Sequence, residues 1–240
     1  MWARFLEIVF QPATRVPVFT LAAVSAFAVA LVTLRIMVTQ TLRHGYLVWN
    51  LFLAWLPLLF CLGAIHVARL RGVRNWRFGL LAAAWLLFLP NAPYIFTDLI
   101  HLSGRGRGHF WVDLTLIVLT AWTASLVGFL SLYVMQTKVS RHFGTVAGWI
   151  FVLIVSGLTG FGVYIGRFLR WNSWDVLMNP FGLAFDLINW LFKSLSDHRL
   201  LFPALFATLF FAAHVTLSAL LHLRVHVISE PEHAIRKPNS

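Results

Sequence analysis

Apolar positions in this chain fall into long runs separated by short charged segments. Six runs, at residues 16–38, 46–68, 76–97, 110–135, 146–166 and 200–223, stand out. Each has the roughly 20 residues that a helix rising about 1.5 Å per residue needs to cross a ~30 Å hydrocarbon layer. The pattern predicts an all-α, polytopic transmembrane bundle of about six spans. It forms one membrane domain over residues 1–228, followed by a flexible tail at 229–240. Pro57 interrupts the second run, and Pro90 with Pro93 breaks the third. Residues 180–192 are shorter and carry Asp186 and Asn189, which predicts an interfacial helix between spans five and six. Residues 2–10 read as a second interfacial segment. The first run contains Ala26-Phe27-Ala28, a small-x-small site, but is too long for a signal-peptide core and reads as an uncleaved span.

Composition removes the soluble alternatives. Hydrophobic residues make up 60% of the chain and charged residues 11%, against about a quarter charged in soluble domains. Mean hydropathy is +0.80. The formal charge of +11 comes from Lys and Arg scattered between apolar runs, which excludes a nucleic-acid-binding patch and suits the positive-inside bias. Eleven of these cations fall on the side of the termini and eight on the other, the compact set Arg69, Arg71, Arg74 and Arg77 among the eleven. Both termini are therefore expected in the cytoplasm. The single cysteine, Cys61, lies inside a run, so no intrachain disulfide forms.

Acidic residues then show where chemistry collects. Asp98, Asp113, Asp175, Asp186 and Asp197 all fall opposite the termini, whereas Glu7, Glu230 and Glu232 fall beside them. In the third span, Asn91, Tyr94, Asp98 and His101 share one helical face if helix resumes after Pro93, forming a polar stripe from mid-membrane to surface. The stripe suits a ligand, ion or proton site; a kink with internally satisfied polar groups is the plainer alternative. Asp113 opens span four, with Thr120, Thr123 and Ser131 near its face, and serves either this site or the helix dipole. After span five, Arg167, Arg170, Asn172 and Asp175 lie among interfacial Trp171 and Trp174, where Arg can hold an anion or simply anchor the span. Asp98, His101, Asp113 and Asp175 are the candidate ligands for a divalent metal. Ser156, Gly160, Gly162 and Gly166 make two small-x-x-x-small pairs, expected at helix contacts. His66 and His214, alone within spans, read as packing residues.

Two blocks carry a family resemblance. Leu89-Pro90-Asn91-Ala92-Pro93-Tyr94 with Thr97-Asp98 and His101-Leu102 resembles the signature of the DUF1361 membrane family. The stretch from Gly166 to Asp175 resembles that family's second block. The resemblance implies a multipass protein of the bacterial inner membrane and transfers no activity. Three functions stay open. The first is binding or transport of a small polar or anionic ligand, for which a proline-broken span is the motive. The second is a membrane-embedded enzyme on a lipid-linked or phosphate-bearing substrate, although neither H-E-x-x-H nor G-x-S-x-G occurs. The third is a non-catalytic assembly or sensor subunit. The expected partners are the lipid bilayer and an anionic headgroup or small ligand.

Overall fold

The computed structural model describes residues 12–102, 107–194 and 200–229, with side chains placed over 15–102, 109–190 and 200–220. The proposed segment at 2–10 and the tail at 230–240 lie outside the described residues, as does Asp197. The described chain is helical, without a strand. It runs through α1 (Pro12–Thr39), a 3-10 turn (Leu42–His44), α2 (Gly45–Arg71), α3 (Trp76–Phe88) and the single turn α4 (Asn91–Tyr94). A 3-10 segment (Ile95–Leu102) leads to α5 (Arg107–Phe143) and α6 (Thr145–Tyr164), which ends in a π-helical turn (Ile165–Leu169). Short α7 (Asp175–Met178), α8 (Pro180–Ser194) and α9 (Leu201–Ser229) complete it.

Six segments among the described residues are long and apolar enough to cross a membrane: 15–39, 42–71, 76–102, 109–143, 145–169 and 201–220. The protein is a multi-pass helical membrane protein. The third span extends past its expected end at 97 because the 3-10 segment continues it to Leu102. Pro57 is buried inside an uninterrupted α2. A proline removes a single backbone donor, a loss that membrane helices tolerate when neighbours pack around it.

The two most buried spans, α2 and α5, form the centre. Along α2 the buried positions Leu47, Leu51, Ala54, Leu58, Cys61 and Ile65 alternate four and three residues apart, the spacing of one continuous helix face. That face packs on α3 and α5. In α5, Ile117, Ala121 and Ala124 continue the seam. At Gly128, a Cβ would come within 2.6 Å of the Ala92 Cβ, so the two backbones meet there because neither side chain is large. Outside the seam, Phe27 (58% exposed), Trp122 (53%) and Leu205 (60%) point away from the protein; hydrocarbon, not water, suits such a surface. α6 and α9 form a second tight pair. Gly144, with φ 93°, joins α5 to α6 in one residue, a backbone angle that disfavours any side chain there.

Candidate functional site

The third span changes its hydrogen bonding where prolines enter it. Leu89 donates to Trp85 O at 2.9 Å, but Ala92 donates to Leu89 O, three residues back, at 3.1 Å. Leu89 and Pro90 keep right-handed helical angles, so the interruption lies in the ladder of donors and acceptors. Tighter 3-10 winding then follows from Ile95, and its three-residue repeat stacks His101 directly over Asp98.

Asn91, Tyr94, Asp98 and His101 all line one cavity of about 360 Å³, within the range of small-molecule sites. α2 contributes Tyr46, Trp49 and Asn50; the π-helical turn contributes Arg167; the following loop contributes Trp171, Asn172 and Ser173. Close approach of α6 makes the cavity possible. A Cβ at Gly162 would collide with the Pro90 ring, and one at Gly166 would sit 3.2 Å from the Tyr94 ring. By the alternation of spans, the cavity lies at the end of the bundle opposite the end of α9.

Asp98 is the electrostatic centre. It is 2% exposed, and its carboxylate accepts hydrogen bonds from Asn50 Nδ2 at 3.2 Å and Arg167 Nη1 at 3.3 Å. His101 Nε2 lies 3.7 Å from the Oδ1 that Arg167 also engages, and the His101 ring meets Tyr46 edge-on, centroids 5.7 Å apart. A buried carboxylate demands such partners. Since Asp98 takes up Nη1, the guanidinium keeps Nε and Nη2 as further donors. The cavity is thus richer in donors than in negative charge.

A second polar layer fixes the loop after the π-helical turn. Asn91 Nδ2 donates to Phe88 O at 2.9 Å and to Ser173 Oγ at 3.0 Å, and Ser173 Oγ donates to Leu87 O at 3.0 Å. These bonds tie the interrupted span to the loop. Arg170 takes a left-handed conformation (φ 61°), is exposed and does not line the cavity. Asp175 accepts from the Asn172 backbone N at 2.6 Å and from its Nδ2 at 3.3 Å, so it shapes the turn that carries Asn172. Asp186 accepts from Trp171 Nε1 at 2.9 Å, fastening α8 to the cavity wall.

Asp113 belongs to a different cluster. It is 2% exposed and pairs with Arg35 Nε at 3.1 Å and His44 Nε2 at 3.3 Å, linking α1, the first 3-10 turn and α5. Thr120 and Thr123 donate to carbonyls of their own helix. Ser131 accepts from Trp85 Nε1 at 3.1 Å and donates to Gly128 O at 2.8 Å. The four candidate metal ligands are therefore divided among three places. Among the described residues no three His, Cys, Asp or Glu side chains gather as a metal cluster, and the acid in the cavity sits beside an arginine.

The structure thus brings six of the nine candidate residues to one cavity, Asn91, Tyr94, Asp98, His101, Arg167 and Asn172, and leaves Asp113, Arg170 and Asp175 off its wall. Sequence reasoning passed over Tyr46, Trp49 and Ser173 as site residues, together with Arg35 and His44 as partners of Asp113. Ser173 carried a signal, since it lies in the second of the two blocks. The pairing of Arg35 with a residue 78 positions away had none.

No curated protein and no solved structure matches this chain. A family model described as protein of unknown function (DUF1361) matches residues 49–213, which include every cavity-lining residue except Tyr46. That match covers more than half of the chain and contains both polar blocks: the protein belongs to the DUF1361 family.

Proposed function

We propose that the protein binds a small ligand carrying an anionic group in this cavity, as a binding protein or transporter. In this reading it sits in the bacterial cytoplasmic membrane with both termini in the cytoplasm, and the cavity faces the opposite side. One observation carries the reading: a buried carboxylate, Asp98, holds Arg167 at the wall of a cavity whose other polar groups are amides, hydroxyls, indoles and one imidazole. Arg is the side chain best fitted to phosphate and carboxylate oxygens, and a pre-positioned guanidinium spends little entropy on capture. Titration of the purified protein with inorganic phosphate and with glycerol phosphate tests it. Arg167→Gln should weaken binding of at least one of them about tenfold, a loss of about 1.4 kcal/mol, whereas Asp113→Asn should leave binding unchanged. Equal affinities for wild type and Arg167→Gln overturn the reading. Flux of the bound anion into reconstituted vesicles separates transport from binding alone.

A second reading, an enzyme acting on a phosphate-bearing substrate, is favoured by the stacking of His101 over Asp98. A carboxylate beside an imidazole orients it as a general acid or base. Release of inorganic phosphate from a phosphomonoester, abolished by His101→Ala with binding retained, supports it; absence of turnover rejects it.

A further inference from the structure

Helix α8 has its polarity arranged for hydrocarbon. Its inward face carries Leu183, Asp186, Leu187 and buried Trp190, spaced three, one and three apart, with half-buried Gly182 and Asn189 beside it, and Asp186 is already bonded to Trp171. Among its residues with described side chains, 180–190, the exposed positions Pro180, Phe181 (87%), Ala184, Phe185 (66%) and Ile188 (55%) are all apolar. Leu177 (83%) and Met178 (79%) of α7 extend that surface toward the cavity. This segment connects the ends of two spans, α6 and α9, at the face opposite the termini, where its exposed apolar side chains suit the acyl chains of that leaflet. Lipid also suits α2 beside it, where Trp49 (53%) and Phe52 (52%) are exposed with rings 5.5 Å apart.

The cavity wall draws on both segments, with Trp49 from α2, Val176 from α7 and Leu183 from α8. Its exposed lining residues are Trp49, His101 (side chain 48%), Asn172 and Val176 (37%), and Trp49 meets Trp174 edge-on. One part of the rim is therefore apolar, Trp49 and Val176, and continues into lipid-covered side chains. The other part is polar, His101 and Asn172. A ligand fitting both parts has a charged end and a hydrocarbon end.

We infer that the cavity takes an amphiphile, a lipid whose anionic headgroup lies on Arg167 and His101 while its chain leaves between Trp49 and Val176 along α7 and α8. This rests on the anion-binding reading and adds the class of ligand and its route, sideways from the leaflet. An aqueous solute needs no apolar rim, whereas a lipid already in the leaflet keeps its chain in hydrocarbon while its headgroup enters.

The test uses the full chain in phosphatidylcholine nanodiscs and compares long-chain phosphatidic acid with glycerol phosphate, which shares its headgroup and lacks the chains. Wild type should bind phosphatidic acid at least tenfold more tightly. Arg167→Gln should weaken both ligands about tenfold. Phe181→Ser, and separately Leu177→Ser, both on the exposed α7–α8 surface outside the cavity lining, should weaken phosphatidic acid at least threefold and leave glycerol phosphate unchanged; each variant's thermal unfolding is measured alongside. Equal affinity for the two ligands overturns the amphiphile while leaving an anion site. Phosphatidic acid binding indifferent to both Phe181→Ser and Leu177→Ser overturns the chain route, and binding indifferent to Arg167→Gln as well is lipid held around the belt and overturns the inference. Failure of Arg167→Gln to weaken either ligand overturns the anion site itself.

Discussion

Asp98 and Asp113 are equally buried, yet their removal should have different consequences. Asp98→Ala leaves Arg167 without its acceptor at a wetted cavity, where solvent can partly replace it. The expected loss is about 1–2 kcal/mol of stability, together with loss of anion binding, because the guanidinium is no longer held in place. Asp113→Ala takes the carboxylate from Arg35, whose side chain is 10% exposed against 19% for Arg167, and its cost should be larger, about 3 kcal/mol. The double variant Arg35→Met with Asp113→Leu should recover most of that loss, since an apolar pair of similar volume commonly replaces a buried ion pair without penalty. Thermal unfolding in detergent checks the stability ranking, and titration with glycerol phosphate checks that only the Asp98 variant loses binding. Single residues were only partly legible in the sequence. Asn91, Tyr94, Asp98 and His101 could be grouped because they lie on one short stretch. Arg35, His44 and Asp113 could not, because their meeting depends on how α1 docks against α5, which no local pattern encodes.

At the level of elements, the cavity depends on how closely α6 approaches the interrupted third span. Gly162 stands against Pro90 and Gly166 against Tyr94, so the small-residue spacing that marked α6 as a packing helix also sets the depth of the site. Gly162→Val should push the two elements apart and cost about 1–3 kcal/mol, whereas Gly157→Val, with nothing within 4 Å of a Cβ, should cost less than about 1 kcal/mol. Chemical denaturation of both variants in the same detergent checks the contrast. The boundaries of the elements were legible where apolar runs met charged loops. They were less so at the third span, because two prolines announce a disturbed ladder without saying whether the chain turns, stops or rewinds. Rewinding into a 3-10 segment sets the register of Asp98 and His101, and tertiary packing decides it.

For the whole molecule, the number of spans was readable from hydropathy alone, since lipid leaves helices few alternatives. Which side faces the cytoplasm rests on the loop of arginines between α2 and α3. In a Cys61→Ser background, Thr41→Cys should react with a membrane-impermeant maleimide on intact cells, and Arg74→Cys only after permeabilisation; the reverse pattern inverts the topology. The ion cluster around Asp113 also puts a clock on assembly. Arg35 and Asp113 are 78 residues apart in the chain, so at about 5–20 residues per second the ribosome delivers the aspartate roughly 4–16 s after the arginine. Over that interval Arg35 has to keep its charge at the headgroups by snorkelling, and α1 waits beside the translocation site without its final contacts. Cysteine pairs bridging α1 and α5 should accordingly crosslink only in nascent chains stalled beyond residue 143, where α5 ends. α1 would then enter the bilayer well before it takes its place in the bundle.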